Sequence, residues 1–354
     1  MGLEKVMPLI ECLLPAKNVL VYDVAASASG ALSVLNDFYN EVKSYQDKSI
    51  KWTFVVSTPY LEETENIKVV RLPWVKKNWI YRLFCDHFTV PILIKKHKIN
   101  KVFSLQNVLV PSTNVPQVLY LHQPLPFTEY RFKITESFLF WIYQNIISMF
   151  IFSGIRRSER TIVQTNWMKE ACIEKTGVKE DKILIISPVI NIVTGKLFSY
   201  ENMPIPTFIY PATPLIYKNH TIIIETCKQL LKEGIINFQV IFTLTGKENT
   251  ISKQLFQEVN KFQLPINFIG SIPRVELFDW YSKAVLLFPS CIEAFGLPLL
   301  EAKMHKTPII AAKTPFAQEI LSDYANVCYF STSQCNQLFG VISTFIKKNT
   351  IGKI

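Results

Sequence analysis

The chain has no G-x-G-x-x-G, so a dinucleotide-dependent dehydrogenase has no fingerprint to rest on. Seven cysteines (Cys12, Cys85, Cys172, Cys227, Cys291, Cys328, Cys335) form no C-x-x-C pair. Five histidines (His87, His97, His122, His220, His305) show no H-x-x-x-H or H-x-E spacing. The common zinc patterns are therefore missing. An odd, dispersed cysteine set reads as reduced thiols in a cytosol. Met1 to Met7 lack the basic region and long apolar core of a signal peptide. Gly2 opens no myristoylation motif, because Val6 and Met7 stand where Ser or Thr is needed. Low-complexity tracts and repeats of fixed period are also missing, as is any nucleic-acid recognition module.

What the chain has is length, apolar content and positive charge. Its 354 residues exceed one ordinary core and suggest two domains. Hydrophobic residues make up 49% and aromatic residues 13%, a globular composition, and the net charge is +10. That excess fits phosphorylated substrates or an anionic membrane surface, with a generally lysine-rich solvated surface accounting for part of it.

Short apolar runs alternate with helical patterns, which predicts parallel α/β architecture. Strands are expected at 18–23, 51–57, 68–72, 101–105, 117–122, 161–165 and 182–187, with a helix at 30–45. The periodicity lapses over 191–206, which carries Gly195, Pro204 and Pro206 and reads as a linker between domains 1–190 and 207–354. It restarts with strands at 207–210, 237–245, 266–270, 285–290, 308–312 and 327–330 and a helix over 218–233.

The stretch from Phe288 to Ala302 carries the chemistry. An apolar run, Val285 to Phe288, leads into an Ala-Phe-Gly-Leu-Pro turn, and a helix-compatible run leads out. Unpaired N–H groups of a first helical turn make an anion site. Glu293 and Glu301, eight positions apart, flank it, and a carboxylate offers two acceptor oxygens to vicinal hydroxyls. Phosphate plus hydroxyls describes a nucleotide sugar. Either glutamate alone would read as an ordinary helix-start carboxylate.

Together with its Phe-Pro-Ser lead-in and Phe-Gly-Leu-Pro core, this stretch resembles glycosyltransferase family 4, the group 1 family of retaining E-x7-E enzymes. The resemblance is clearest over 207–321 and colinear before that. It implies the GT-B fold, two Rossmann-like parallel-sheet domains facing a central cleft. It implies that Glu293 touches hydroxyls of the donor sugar and Glu301 the nucleotide ribose. It also implies that Phe295, Gly296 and Leu297 offer main-chain N–H groups to the diphosphate or sugar, and that Lys218 faces the diphosphate. A lysine is electrostatically unhelpful at a helix start, which itself argues for a function. Relatives carry an Arg about five residues before this lysine, where Thr213 stands here. Gly246 matches a turn near the nucleotide and Ile272 a base contact. In the first domain Gly30 follows Ser27 and Ser29, each a candidate N-cap, in the place of a glycine-rich loop near the donor phosphate and acceptor. His122 ends a strand where relatives place an acceptor-side or sugar-binding histidine; a lone histidine is otherwise more often structural.

The reading that follows is a metal-independent, cofactor-free retaining hexosyltransferase. It would move a sugar from a nucleotide sugar to a hydroxyl of a glycan or lipid-linked acceptor in polysaccharide synthesis. An epimerase, a sugar phosphorylase or a non-catalytic nucleotide-sugar-binding subunit are the alternatives. The run 137–153 is apolar and aromatic but interrupted by Gln144, Asn145 and Ser148, short of the ~20 apolar residues of a span. It reads as an amphipathic helix. Its outer face, with 79–88 and nearby lysines, would either rest on anionic lipid or pack inside the protein. A cytoplasmic location, peripheral on the inner face of the cell membrane, is expected.

Overall fold

The computed structural model describes residues 9–26, 29–188, 196–332 and 335–351. The chain divides into two compact units, Met1–Val189 and Ile190–Ile354.

In the first unit seven strands form one parallel sheet: β1 (Asn18–Asp23), β2 (Lys51–Val56), β3 (Ile67–Arg71), β4 (Lys101–Ser104), β5 (Gln117–Tyr120), β6 (Arg160–Val163) and β7 (Ile183–Ile185). Their order is β3-β2-β1-β4-β5-β6-β7. The helices are α1 (Ser29–Ser44), α2 (Trp79–Phe84), α3 (Val90–Lys96), α4 (Phe138–Ile142), α5 (Ser148–Arg157) and α6 (Asn166–Thr176). β1, β4 and β5 are buried along almost their whole length, as expected where helices cover both faces of a parallel sheet. One face carries α1, which buries Leu35, Phe38, Tyr39 and Val42; Phe38 meets the Phe103 ring at 4.8 Å between centroids. The other face is covered by the helices after β3 and β5.

The second unit repeats the plan with β8 (Thr207–Tyr210), β9 (Gln239–Phe242), β10 (Ile266–Phe268), β11 (Val285–Phe288), β12 (Ile309–Ala312) and β13 (Val327–Phe330), ordered β10-β9-β8-β11-β12-β13 and parallel. Its helices are α7 (His220–Lys232), α8 (Thr250–Lys261), α9 (Arg274–Tyr281), α10 (Leu297–Met304), α11 (Pro315–Ile320) and α12 (Cys335–Ile351). Asn249 and Ser252 close a reciprocal capping box at the start of α8. Of the expected linker, 191–195 lie outside the described residues. The remainder runs along unit 2, with Phe198 N donating to His305 O (2.8 Å), Ser199 N to Ser282 O (3.2 Å) and Met203 buried.

Every expected strand is present within a few residues at each end. In both sheets the order reverses beside a central strand, between β1 and β4 and between β8 and β11. Ligands of open α/β sheets bind outside the carboxyl ends of strands at such reversals.

Candidate active site

In unit 2 the segments after β8 and β11 meet at the strand reversal. Cys291 N donates to Tyr217 O (2.9 Å), and the fully buried Tyr210 hydroxyl donates to Lys218 O (2.7 Å). Lys218 is not on an α-helix. It ends a 3-10 turn, and Asn219 at φ +55° turns the chain before α7 begins at His220. The turn aims Lys218 at Glu293, whose Oε1 accepts from Nζ and also from Ser290 Oγ (2.8 Å). Both side chains of the pair are mostly shielded, so the contact is screened less than a surface pair. Beside them the His220 ring is buried against Tyr210 and Phe242, with centroids 4.6 and 5.1 Å away. Burial, then the Lys218 charge, pull its pKa down to about 3, so it is neutral at pH 7.

Gly296 turns the chain into α10 at φ +94°, a left-handed conformation that an L side chain resists. A Cβ there would come 3.3 Å from Leu299 Cδ1. Phe295 before it is buried, Leu297 is exposed, and Pro298 sits in the first turn, where its missing N–H costs no helical bond. One turn on, Glu301 is only 6% exposed. Its Oε1 accepts from Arg274 Nε at 2.7 Å and lies 2.7 Å from Nη2 in the same ion pair, and its Oε2 accepts from Tyr281 Oη at 3.3 Å. Burial raises the Glu301 pKa, with the Arg274 charge and hydrogen bond opposing the rise.

Gly246 holds φ +78° beyond β9, and its missing Cβ makes room for Phe256, whose Cβ and ring would lie 2.8 Å away. Packing therefore accounts for this glycine without a ligand. Ile272, half-exposed, lies just before α9.

Unit 1 presents different chemistry at its strand ends. His122 follows β5; its N–H and that of Gln123 donate to Asn107 Oδ1 (2.8 and 3.0 Å), and its Nε2 lies 3.3 Å from Asn107 Nδ2. Burial lowers the His122 pKa to about 4, so the ring is neutral at pH 7. Asp23 ends β1, buried, with Oδ1 accepting from Ala26 N (3.0 Å) and a pKa raised by burial to about 7. Gln106 follows β4 and is also buried. Asp23 Oδ2, both amide atoms of Gln106 and His122 Nδ1 have no hydrogen-bond partner among the described residues. Gly30 is exposed in the first turn of α1, with nothing within 4 Å of the place a Cβ would take. Ser27 and the Ser29 side chain, the expected caps, lie outside the described residues.

Residues 200–350 match the family described as glycosyl transferases group 1. The chain carries a glycosyl transferases group 1 domain. Three solved structures share its fold over nearly the whole chain. Sucrose-phosphate synthase from Thermosynechococcus elongatus has a TM-score of 0.69 at 14% identity, over 94% of this chain and 90% of that one. Anabaena HepE in complex with UDP-glucose gives 0.64 at 13%, over 95% and 91%. The lipopolysaccharide outer core galactosyltransferase WaaB gives 0.62 at 13%, over 93% and 91%. The match to TarM covers about half of that longer chain (48%), with a TM-score of 0.52. No curated protein sequence matches. At these identities the likeness carries the fold, which is GT-B.

Within the glycosyltransferase domain the structure brings Lys218 to Glu293 and sets Glu301 one helical turn beyond Gly296. Sequence reasoning missed Arg274, Tyr281, Ser290, Asp23 and Gln106. Two of these carried a signal. Arg274 is a cation in a first helical turn, misplaced for the helix dipole. Asp23 closes an otherwise apolar strand beside the strand reversal.

Proposed function

We propose that this protein is a retaining glycosyltransferase. It moves a hexose from a nucleotide-sugar donor to a hydroxyl of a glycan or lipid-linked acceptor in cell-surface polysaccharide synthesis. The observation that carries the reading is the pair of carboxylates, Glu293 and Glu301, set around the Gly296 turn and each engaged by a cation. A diphosphate docked at the Gly296 turn would meet the main-chain N–H groups there and the Lys218 ammonium. Lys218 would exchange part of its bond to Glu293 for the phosphate, freeing Glu293 for sugar hydroxyls. The C1–O bond to the diphosphate breaks and the acceptor oxygen bonds C1 on the same face. The acceptor's proton passes to the leaving phosphate oxygen. Lys218 and main-chain amides balance the charge developing on the diphosphate, so the reading calls on no metal. The acceptor is assigned to unit 1, near Gly30 and His122, where the neutral imidazole suits a hydroxyl.

The test is release of nucleoside diphosphate and transfer of labelled sugar from a panel of nucleotide sugars, beginning with UDP-glucose, with which HepE was crystallised. Glu293→Ala is expected to lower transfer at least ~100-fold. Wild-type turnover in that variant would remove the reading.

For location, the carrying observation is a helix that faces the wrong way for water. Phe138–Arg157 is long and apolar enough to cross a membrane, yet only 28% of its most apolar window is buried. Its polar Gln144 points inward, with Nε2 donating to Leu125 O (3.1 Å) and Tyr130 O (2.7 Å) and Oε1 accepting from Phe132 N (2.8 Å). Phe138, Leu139, Ile146, Met149 and Phe150 point outward. Trp79, Ile80, Leu83, Phe84, Phe88 and Ile92 are exposed on the α2–α3 stretch. Lys76, Lys77, Lys95, Lys96 and Lys98 flank that stretch, all exposed. We place the protein in the cytoplasm, resting peripherally on the inner face of the cell membrane through these side chains. Co-flotation with phosphatidylglycerol-containing vesicles, lost in pure phosphatidylcholine and in Phe84→Glu with Phe150→Glu, is the expected result. Equal flotation of that variant would refute it.

A further inference from the structure

Glu301 is a buried carboxylate whose hydrogen-bonding capacity is partly spent. An ionised carboxylate has about four lone-pair sites, two per oxygen. One N–H of Arg274, on Nε, ends on Oε1 at 2.7 Å, and Nη2 lies 2.7 Å from the same oxygen. Oε2 receives one long bond, 3.3 Å, from the Tyr281 hydroxyl. Each oxygen therefore accepts one hydrogen bond, and the carboxylate keeps lone-pair capacity for a ligand hydroxyl. Arg274 stands at the first position of α9, 47% exposed, directly after the Gly270–Pro273 segment, and its guanidinium carbon lies 5.5 Å from the Phe278 ring centroid. A cation at a helix N-terminus opposes the helix dipole, so the local structure of α9 gains nothing from it. Its partner on α10 is what explains it.

We infer that Arg274 is a positioning residue that makes this domain select ribonucleotide over 2′-deoxyribonucleotide donors. It does so by holding the Glu301 carboxylate through Oε1, so that its remaining lone pairs are set for a ribose hydroxyl. The inference rests on the transferase reading, in which Glu301 receives the ribose. Three groups face the Glu301 carboxylate: Arg274 and Tyr281 from α9, and His305 beyond α10, whose ring Nδ1 lies 2.8 Å from Glu301 O. Of these, Arg274 is the group that offsets burial most, so removing it both frees the carboxylate to rotate and raises its pKa further. The ionised form accepts from a hydroxyl. Without Arg274, nucleotide binding is therefore lost at a higher pH as pH falls.

The experiment measures binding of ADP, GDP, CDP and UDP to the full chain by calorimetry, then the 2′-deoxy form of the tightest binder, from pH 5.5 to 8.5. Wild type is expected to prefer the ribonucleotide by about tenfold or more, the range of one hydrogen bond to a charged group. In Arg274→Met that ratio should fall to within about threefold and the acid limb should move to higher pH. Arg274→Lys, which keeps the charge but lacks the planar guanidinium, should hold the limb near its wild-type position with an intermediate ratio. A merely structural arginine would lower the melting temperature of the variants and leave the ratio and the limb where they were; that result overturns the inference. Equal wild-type binding of the ribo and deoxy forms overturns it too, while leaving nucleotide binding in place. Binding of none of the four diphosphates would instead defeat the transferase reading itself.

Discussion

At the carboxyl ends of its strands unit 2 holds charged groups in pairs, Lys218 with Glu293 and Arg274 with Glu301. Unit 1, at the same ends of a like-ordered sheet, holds buried groups of which two are neutral at pH 7 and one, Asp23, is about half ionised. His122 titrates near 4, Gln106 is an amide, and Asp23 is half protonated near 7. Both ends lie at a strand reversal. One scaffold thus serves two chemistries by changing side chains at equivalent places. The paired cations and carboxylates suit a ligand that brings its own charge, since an anion can exchange into an ion pair without leaving a buried charge alone. His122 and Gln106 suit hydroxyls, which ask for a donor and an acceptor and supply no charge to offset desolvation.

The sharpest way to break that contrast is Lys218→Ala. If the unit 2 pairs exist to receive a diphosphate, this variant should lose about 10²–10³ in turnover, the scale of one preorganised group at a developing charge. The assay is steady-state transfer at saturating donor. The corresponding change in unit 1, His122→Gln, replaces one neutral hydrogen-bonding group by another and should cost about tenfold or less. Its kcat/KM profile should keep the wild-type shape between pH 5.5 and 8, because a ring titrating near 4 is already neutral across that window. An acid limb that vanishes in His122→Gln would mean that the ring is charged in the working enzyme.

Asp23 gives the next largest effect, on stability. Its folded pKa of about 7 lies above the unfolded value near 3.8. Between those values the native state binds more protons than the unfolded state, so stability falls as pH rises from about 4 to about 7 and stays lowered above that. Asn keeps an oxygen for the Ala26 N–H and never ionises. Asp23→Asn should therefore match wild type near pH 4 and exceed it at pH 8 by about 2–4 kcal/mol. Urea melts at the two pH values measure it, and equal gains at both would show that charge is not the cause.

These contrasts also show what sequence can and cannot carry. The sheets were legible because β8, β11 and β12 are short, almost wholly apolar runs with a proline at one end or both, and burial on both faces requires such runs. Glu293, Gly296 and Glu301 were legible because they share one short stretch. Lys218 was found through its motif, while its position off the helix depends on Asn219 at φ +55°, which composition does not announce. Arg274 lies 27 positions from Glu301 and was hidden, since that ion pair exists only once α9 packs beside α10. The 138–157 helix was legible as amphipathic, while the place of its polar residues was not. Gln144 looked like an interruption of an apolar run, but the carbonyls of Leu125 and Tyr130 take it inside.

The smallest effects separate the two glycines that the family resemblance placed near the ligand. Gly296 holds φ +94°, so Gly296→Ala should destabilise unit 2 by about 1–2 kcal/mol and weaken nucleotide binding with it. Gly30 has an ordinary helical conformation and open space around it. Exchanging it for alanine should stabilise α1 by about 0.5–1 kcal/mol, the cost of a glycine inside a helix. If transfer then keeps its wild-type KM for the acceptor, Gly30 is a helix residue with no ligand against it. If the variant is more stable yet binds acceptor more weakly, the absence of a side chain at position 30 serves the close approach of a substrate.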